Sequence, residues 1–472
     1  MTGRATIVLD VGKTLAKLSL WSPGGTLIER RMRANARVEA GHYIALDAAG
    51  IETWVAETLR DLARLADVGA IVPVGHGAAA AIIRGDRLAC PPLDYEEPMP
   101  TMLRAPYDAE RGPFTETGSP ALPDGLNLGA QLYRLEAIDP TLREGTRILP
   151  WAQYWGWLLS GVAASEATSL GCHTDLWNPL AGWPSALAER QGWASWLAPL
   201  HRADDILGTL TPAWVARTGL PADTAIYCGL HDSNAALLAA RGFAEIAGHE
   251  STVLSTGTWF VAMRSPRDAA SVETGALDPA RDCLINVDAF GKPVPSARFM
   301  GGREIETLIG LDTRRIDIRP DQSALLAALP QAIESGAMVL PSFAPGFGPF
   351  PHGRGRWVAM PGDPAARRAA VSLYAALVAD TALDLIGTKE RLLIEGRFAE
   401  SQVFVRALAT LRPDVAVYVG KAHNDVSYGA LRLLGAALPP AEPLERVAPL
   451  GLDLAPYRDQ WRREAEHMEE AA

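Results

Sequence analysis

The sequence predicts an α/β protein of two domains, and three observations carry that prediction. The chain has 472 residues, more than one compact domain usually holds. It opens as short strands joined by tight turns, over residues 5–10, 17–21 and 26–30. A helical pattern at 51–66 and another strand at 70–74 follow. The alternation returns late in the chain, with strands at 391–394 and 415–419 and helical runs at 402–411 and 426–434.

Composition narrows the function classes. Apolar residues are 48% of the chain, enough for substantial cores. The formal net charge is -11 and no basic stripe appears, which argues against nucleic acid or an anionic membrane as partner. The four cysteines, Cys90, Cys172, Cys228 and Cys283, have no C-x-x-C spacing, so neither a zinc ribbon nor a redox pair is expected. No signal-peptide core and no apolar run long enough to span a bilayer is visible. A cytoplasmic protein with free thiols is the simplest reading.

The first hairpin tip holds Asp10, Gly12, Lys13 and Thr14. Gly-Lys-Thr suggests a P-loop, but that motif needs a glycine five residues before Gly12, where Ile7 stands, and a helix after it. A D-x-G-x-T turn between two strands is a different phosphate device. Glycine lets the backbone approach, Thr14 donates, Lys13 adds charge, and Asp10 holds Mg²⁺ through water. The same residues also read as a plain polar hairpin tip.

The strand at 70–74 delivers Gly75-His76-Gly77, a glycine-flanked histidine where ligands often meet α/β sheets. Residues 91–106 read as a proline-rich loop, not a carboxylate pair, although Asp94, Glu96 and Glu97 lie there. The tryptophan-dense run 149–159 reads as a buried helix stopped at Gly161. Residues 166–177 read as a polar loop lining a cleft. Trp177, Trp183, Trp193 and Trp196 either stack on a sugar or belong to the core. His173 beside Cys172 lacks partners in metal-ligand spacing.

The stretch 228–260 organises the rest. A strand at 225–228 runs into His231-Asp232 and then an Ala/Leu-rich segment, which places Asp232 near a helix N-terminus. It closes with Ser255-Thr256-Gly257-Thr258, a hydroxyl-rich turn able to offer hydroxyls and N–H groups to an anion. A base beside a phosphate cradle suggests phosphoryl transfer. Further on, Gly301-Gly302 precede a short helix near Glu304, residues 342–357 form a long aromatic loop, and 365–386 form an Ala-rich helix. Strand–Gly396–helix is where an adenosine pocket fits. The tail from 457 reads as a charged, solvated helix.

Together these stations resemble the FGGY carbohydrate kinases, on the ribonuclease-H-like superfold of hexokinase and actin. The likeness covers nearly the full length. It rests on Asp10-Val11-Gly12-Lys13-Thr14, Gly229-Leu230-His231-Asp232 and Ser255-Thr256-Gly257-Thr258-Trp259. The last two look most like L-rhamnulokinases and L-fuculokinases, and Gly75-His76-Gly77 looks like the sugar-contacting turn of the xylulokinase branch. The resemblance implies two ribonuclease-H-like domains with a cleft between them. Residues 1–227 would form the sugar and phosphate side and 228–435 the nucleotide side, with the tail 436–472 packing back on the N-terminal domain.

It further implies Asp232 as general base and His231, His76 and Gly77 as sugar contacts. Gly12, Lys13, Thr14, Thr256, Gly257, Thr258 and Gly396 would hold ATP, and Asp10 would hold Mg²⁺ through water. The family's run of three glycines at the adenosine motif is reduced here to Gly396, within Glu395-Gly396-Arg397-Phe398. The implied activity is ATP-dependent phosphorylation of a primary hydroxyl on a small ketose: L-rhamnulose, L-fuculose or a pentulose. The alternative is a catalytically weak sugar- and nucleotide-binding regulator of the same fold. The resemblance leaves a homodimer open.

Overall fold

The computed structural model describes residues 3–313, 317–420, 426–435, 438 and 442–470. The chain divides into two compact units. One comprises Met1–Ala239, Ile285–Pro293 and Asp425–Pro440; the other comprises Ala240–Leu284, Val294–Asn424 and Ala441–Ala472. Among the described residues no helix is long and apolar enough to cross a membrane.

In the first unit, strands β1 (Ala5–Val11), β2 (Leu15–Trp21) and β3 (Leu27–Ala34) form the antiparallel meander that the turn residues dictate. Helix α1 (Ala48–Leu62) starts at Asp47, whose side chain accepts from Gly50 N, and leads to strand β4 (Val68–Gly75). β4 lies parallel to β1. Helices α2 (Trp151–Ser160) and α3 (Ala167–Leu170) follow. Then come β5 (Ile206–Thr209), β6 (Ala225–Tyr227), the two-residue β7 (Leu230–His231) and helix α4 (Asp232–Ala240). The sheet runs β5-β6-β4-β1-β2-β3, with β7 pairing β4 beyond the end of β6.

β1 is buried on both faces, as the consecutive apolar residues Ile7, Val8 and Leu9 require. Ile7 and Leu9 join one core with Ile51, Leu59, Trp151 and Trp155. Val8, between them, joins another with Val74, Leu230 and Ala430. α2 ends as expected, with Gly161 at φ 77° donating to Trp157 O.

The expected domain break between residues 227 and 228 falls inside this unit, because β7 continues the parallel pairing that β6 begins on β4. The helix Val426–Leu431 also belongs here. A Cβ on Gly429 would stand 1.8 Å from Ala235 O, so only glycine permits that approach to α4. Residues 166–177, expected as a polar loop, contain α3, capped by the Glu166 side chain and largely buried. Trp177, Trp193 and Trp196 are core, whereas Trp183 is exposed.

The second unit repeats the plan. Strands β8 (Ser251–Thr256), β9 (Phe260–Ser265) and β10 (Pro293–Phe299) lie antiparallel side by side, although a further strand, Cys283–Val287, intervenes in sequence between β9 and β10. Helices α5 (Gly301–Ile309), α6 (Gln322–Glu334) and α7 (Pro364–Leu385) lead to strand β11 (Arg391–Gly396), parallel to β8. Helix α8 (Gln402–Leu411) and strand β12 (Ala416–Val419), parallel to β11, follow. Strand β13 (Glu445–Arg446) closes the order β10-β9-β8-β11-β12-β13.

The tail differs from expectation. Residues 441–472 lie in the second unit, and helix α9 (Ala455–Glu470) is more than a solvated face. Tyr457, Trp461 and Ala465, at four-residue spacing, form a buried stripe. Tyr457 donates to Ala337 O at 2.6 Å and Trp461 to Val339 O at 2.7 Å.

Candidate active site

In the first unit three parallel strands end in register. Val11 on β1 pairs with Gly75 on β4, and Gly75 pairs with His231 on β7. The next residues along each strand are Gly12-Lys13-Thr14, His76-Gly77 and Asp232. Pairing register alone therefore gathers three stations that are remote in sequence onto the carboxyl edge of one sheet, where α/β folds build sites.

Asp232 opens α4, and its side chain is 29% exposed, half-buried rather than sealed in a core. Its Oδ1 accepts from Ser233 N at 2.6 Å and lies 3.1 Å from His231 Nε2. Burial works against its charge, but the His231 bond, the charges of His231 and His76, and the Ser233 N–H hold its pKa below the usual carboxylate value.

The same His231 Nε2 stands 3.7 Å from Cys172 Sγ, and His231 Nδ1 stands 3.1 Å from Asn234 Nδ2. Its backbone N donates to Thr168 Oγ1 at 2.9 Å, and that hydroxyl donates to buried Glu166 at 2.6 Å. Helix α3 thus anchors the station.

His76 is buried, and neither ring nitrogen has a protein partner among the described residues. Burial lowers its pKa to about 4; the Asp232 charge opposes this, Lys13 and His231 add repulsion, and Asp94 pulls least. The ring is neutral near pH 7, with one N–H to give and one lone pair to receive. Tyr95 meets it edge-on, ring centroids 5.6 Å apart. Gly77 has no room for a side chain. A Cβ there would stand 2.5 Å from Cys172 Sγ and 3.0 Å from His231 Nε2.

Gly12 accepts from Asn35 Nδ2 at 2.8 Å and donates to Leu15 O at 3.0 Å, and Thr14 is exposed. The Lys13 ammonium, expected to serve phosphate, is ion-paired with Asp94 and lies 4.4 Å from the Tyr95 ring centroid. Residues 91–106, expected as a loop, run into a helix at Thr101–Glu110, and the stretch before that helix places Asp94 against Lys13. Asp10 is buried and paired with Lys17 at 3.0 Å. Among the described residues no cluster of three or more His, Cys, Asp or Glu is arranged to hold a metal ion. A single carboxylate suits a Mg²⁺ that arrives on phosphates and keeps its waters.

In the second unit the turn from β8 to β9 holds Thr256, Gly257 and Thr258. Thr256 is turned inward, its hydroxyl donating to Glu395 O and accepting from Phe398 N. Gly257 and Thr258 are half-exposed. Gly396 has φ 85°, and a Cβ on it would stand 2.3 Å from Thr256 O. A Cβ on Gly302, in the first turn of α5, would stand 1.9 Å from Gly257 O. The two glycines let β11 and α5 close on the phosphate-type turn. Arg397 pairs with Glu306 of α5 at 3.0 Å. A cavity in the same unit is lined by apolar Ile305, Ile309, Leu325, Phe398 and Phe404 together with polar Thr313, Gln322, Arg368, Ser372 and Ser401.

Asp94, Tyr95, Cys172, Asn234 and Gly302 escaped the sequence reading as site residues. The available signals were a charged residue inside a proline-rich apolar loop, Cys172 beside His173, and the paired glycines before Glu304.

A family profile described as "Carbohydrate kinase FGGY, C-terminal domain" matches residues 248–442. Among solved structures, a carbohydrate kinase from Novosphingobium aromaticivorans is 56% identical, with 99% of each chain covered and a TM-score of 0.94. A ligand-bound xylulose kinase from Lactobacillus acidophilus is 14% identical over 99% of this chain and 98% of its own, with a TM-score of 0.79. A xylulose kinase from Rhodospirillum rubrum is 18% identical over 99% of each chain, with a TM-score of 0.78. These last two show the fold alone, which is that of two actin/hexokinase-like domains. No curated protein matched. The chain belongs to the FGGY family of carbohydrate kinases, phosphotransferases with an alcohol group as acceptor.

Proposed function

We propose that this kinase transfers the γ-phosphoryl group of ATP to a primary hydroxyl of a small ketose. Asp232 accepts the hydroxyl proton as oxygen attacks phosphorus, a role worth about 10²–10⁴ in rate. ADP leaves with the electron pair of the broken P–O bond. The observation that carries this reading is His76. It is a buried neutral imidazole with both nitrogens unpartnered among the described residues, within electrostatic reach of the half-buried Asp232. An imidazole so placed can receive from one sugar hydroxyl and give to another. His231 and Gly77 complete the acceptor side.

Family membership implies ATP as donor. Gly12, Lys13, Thr14, Thr256, Gly257, Thr258 and Gly396 are the residues assigned to it. Gly257 and Thr258 contribute N–H and hydroxyl donors, and Thr256 supports the turn from inside. For Lys13 this assignment requires its ammonium to be shared with Asp94. Asp10 would hold Mg²⁺ through water, and the ion supplies charge neutralisation on the phosphates. Exclusion of bulk water at the acceptor keeps Asp232 from activating water instead.

Among acceptors, pentuloses stand ahead of L-rhamnulose and L-fuculose. The Gly75-His76-Gly77 turn favours the xylulokinase-like reading, and none of the relatives named above is described as a rhamnulose or fuculose kinase.

The test is coupled ADP release over L-rhamnulose, L-fuculose, both xyluloses, both ribuloses and L-erythrulose, with glycerol and aldoses as controls. Asp232→Asn is expected to lose at least about 10²-fold in turnover while ATP binding is spared. Turnover near wild type in that variant removes the assignment. Sugar binding without ADP release for any ketose favours the regulator instead.

A further inference from the structure

We propose that Cys172 is a positioning residue of the transfer reaction, its sulfur holding the His231 ring as a charged hydrogen-bond donor against Asp232. The inference rests on Asp232 being the proton acceptor. Three contacts carry it. His231 Nε2 faces two acceptors at once, Cys172 Sγ at 3.7 Å and Asp232 Oδ1 at 3.1 Å. A nitrogen between two acceptors carries its proton in any stable arrangement. The backbone of Gly77 closes over this contact so tightly that no side chain fits between it and the sulfur. The sulfur is therefore wedged rather than loosely placed.

The other ring nitrogen faces Asn234. Asn234 Nδ2 lies 3.1 Å from His231 Nδ1, while Asn234 Oδ1 is buried without a partner. Turning the amide by half a rotation exchanges these atoms. Oδ1 then accepts from a protonated Nδ1, with Nδ2 taking the place that Oδ1 leaves. In that orientation both ring nitrogens carry protons, which is the imidazolium; with Nδ2 facing Nδ1 the ring is the neutral tautomer protonated at Nε2.

The second proton comes from the Cys172 thiol, so the pair passes from neutral to thiolate–imidazolium with no change in total charge. Burial alone would push the Cys172 thiol up, but the imidazoles of His173 and His231 bring it down to about 5. Burial likewise opposes charge on His231, yet Cys172 and Asp232 raise its pKa well above the usual value. The titratable groups around the ring are Cys172 and His173 from the turn after α3, Asp232 on its own helix, and His76 at the end of β4. Lys13 and Asp94 stand beyond His76.

A charged His231 serves the reaction in two ways. It fixes the Asp232 carboxylate in one rotamer, and it keeps that carboxylate ionised and ready to receive a proton. Cys172 touches neither the acceptor hydroxyl nor the phosphate in this account. It acts through His231.

The experiment uses the full chain and two readouts. The first is thiolate absorbance in the ultraviolet across pH. Burial pushes the thiols of Cys90 and Cys228 up and that of Cys283 to about 12, so a thiolate seen near neutrality is that of Cys172. Wild type is expected to carry one thiolate per chain at neutral pH, lost on acidification through about 5. Cys172→Ser should lack it, and His231→Gln should move it upward by at least about two pH units. Appearance of the signal only above about pH 8, as for an ordinary thiol, overturns the proposal and needs no variant to fold.

The second readout is the pH profile of kcat. In Cys172→Ser the alkaline limb should move down by about one unit or more, with a smaller change of rate on the acid side. A uniform rate loss with an unmoved limb would mark a packing role and overturn the positioning role. If Asp232→Asn keeps its turnover, the assignment of the base fails, yet the absorbance titration still decides whether the pair exists.

Discussion

The ammonium of Lys13 is ion-paired to Asp94, a carboxylate with no exposed surface, and the two come from separate loops of the first unit. The Lys13 side chain is itself only 13% exposed, so neither charge is well solvated. Removing Asp94 leaves the Lys13 ammonium with only the half-exposed Glu96 carboxylate, 3.7 Å away. Asp94→Asn should therefore lower unfolding free energy by about 3 kcal/mol. Adding Lys13→Met should recover most of that loss, because no charge is then left stranded. Urea unfolding of the single and double variants checks both, and equal losses in the two would mean that packing rather than charge governs the site.

His76 makes stability depend on pH in a stated direction. Its folded pKa is lowered from 6.5 to about 4, so the unfolded chain binds the proton more readily. The native state is at full advantage above pH 6.5 and loses it as pH falls towards 4. The loss amounts to about 3 kcal/mol across that window. His76→Gln, which does not titrate, should flatten this part of the stability–pH curve. A variant curve that keeps the wild-type slope would place the linkage elsewhere.

Gly396 is required by two separate constraints, a φ of 85° and a Cβ position 2.3 Å from Thr256 O. Gly41 shares a positive φ of 78° but has open space around it. Gly41→Ala should cost about 1 kcal/mol from the backbone alone. Gly396→Ala should cost at least about 3 kcal/mol, because β8 and β11 must also part at the turn. It should also weaken nucleotide binding. Comparable melting temperatures for the two variants would show that β11 yields easily there.

Much of the fold was legible in the sequence because it depends on short-range pattern. The apolar run of β1, the turn residues after β2, the glycine stop of α2 and the span of α8 all follow from local rules. The sequence by itself also marked Asp232, His76 and the Thr256–Thr258 turn as candidates, since each stands at a strand end beside glycine or a helix start. The tail was misjudged because a three-residue stripe of Tyr457, Trp461 and Ala465 is hidden among many charges.

Tertiary structure alone decided the pairings among stations. Strand register set Val11, Gly75 and His231 in line. Folding of the stretch before the helix Thr101–Glu110 brought Asp94 to Lys13, and the turn after α3 brought Cys172 to His231. Thr256 was turned inward by the parallel pairing of β8 with β11. The physical reason is one of range. Backbone propensity and apolar periodicity act over a few residues and are written in the local sequence. An ion pair or a hydrogen bond between distant segments exists only once sheet register and helix packing have set both ends in place.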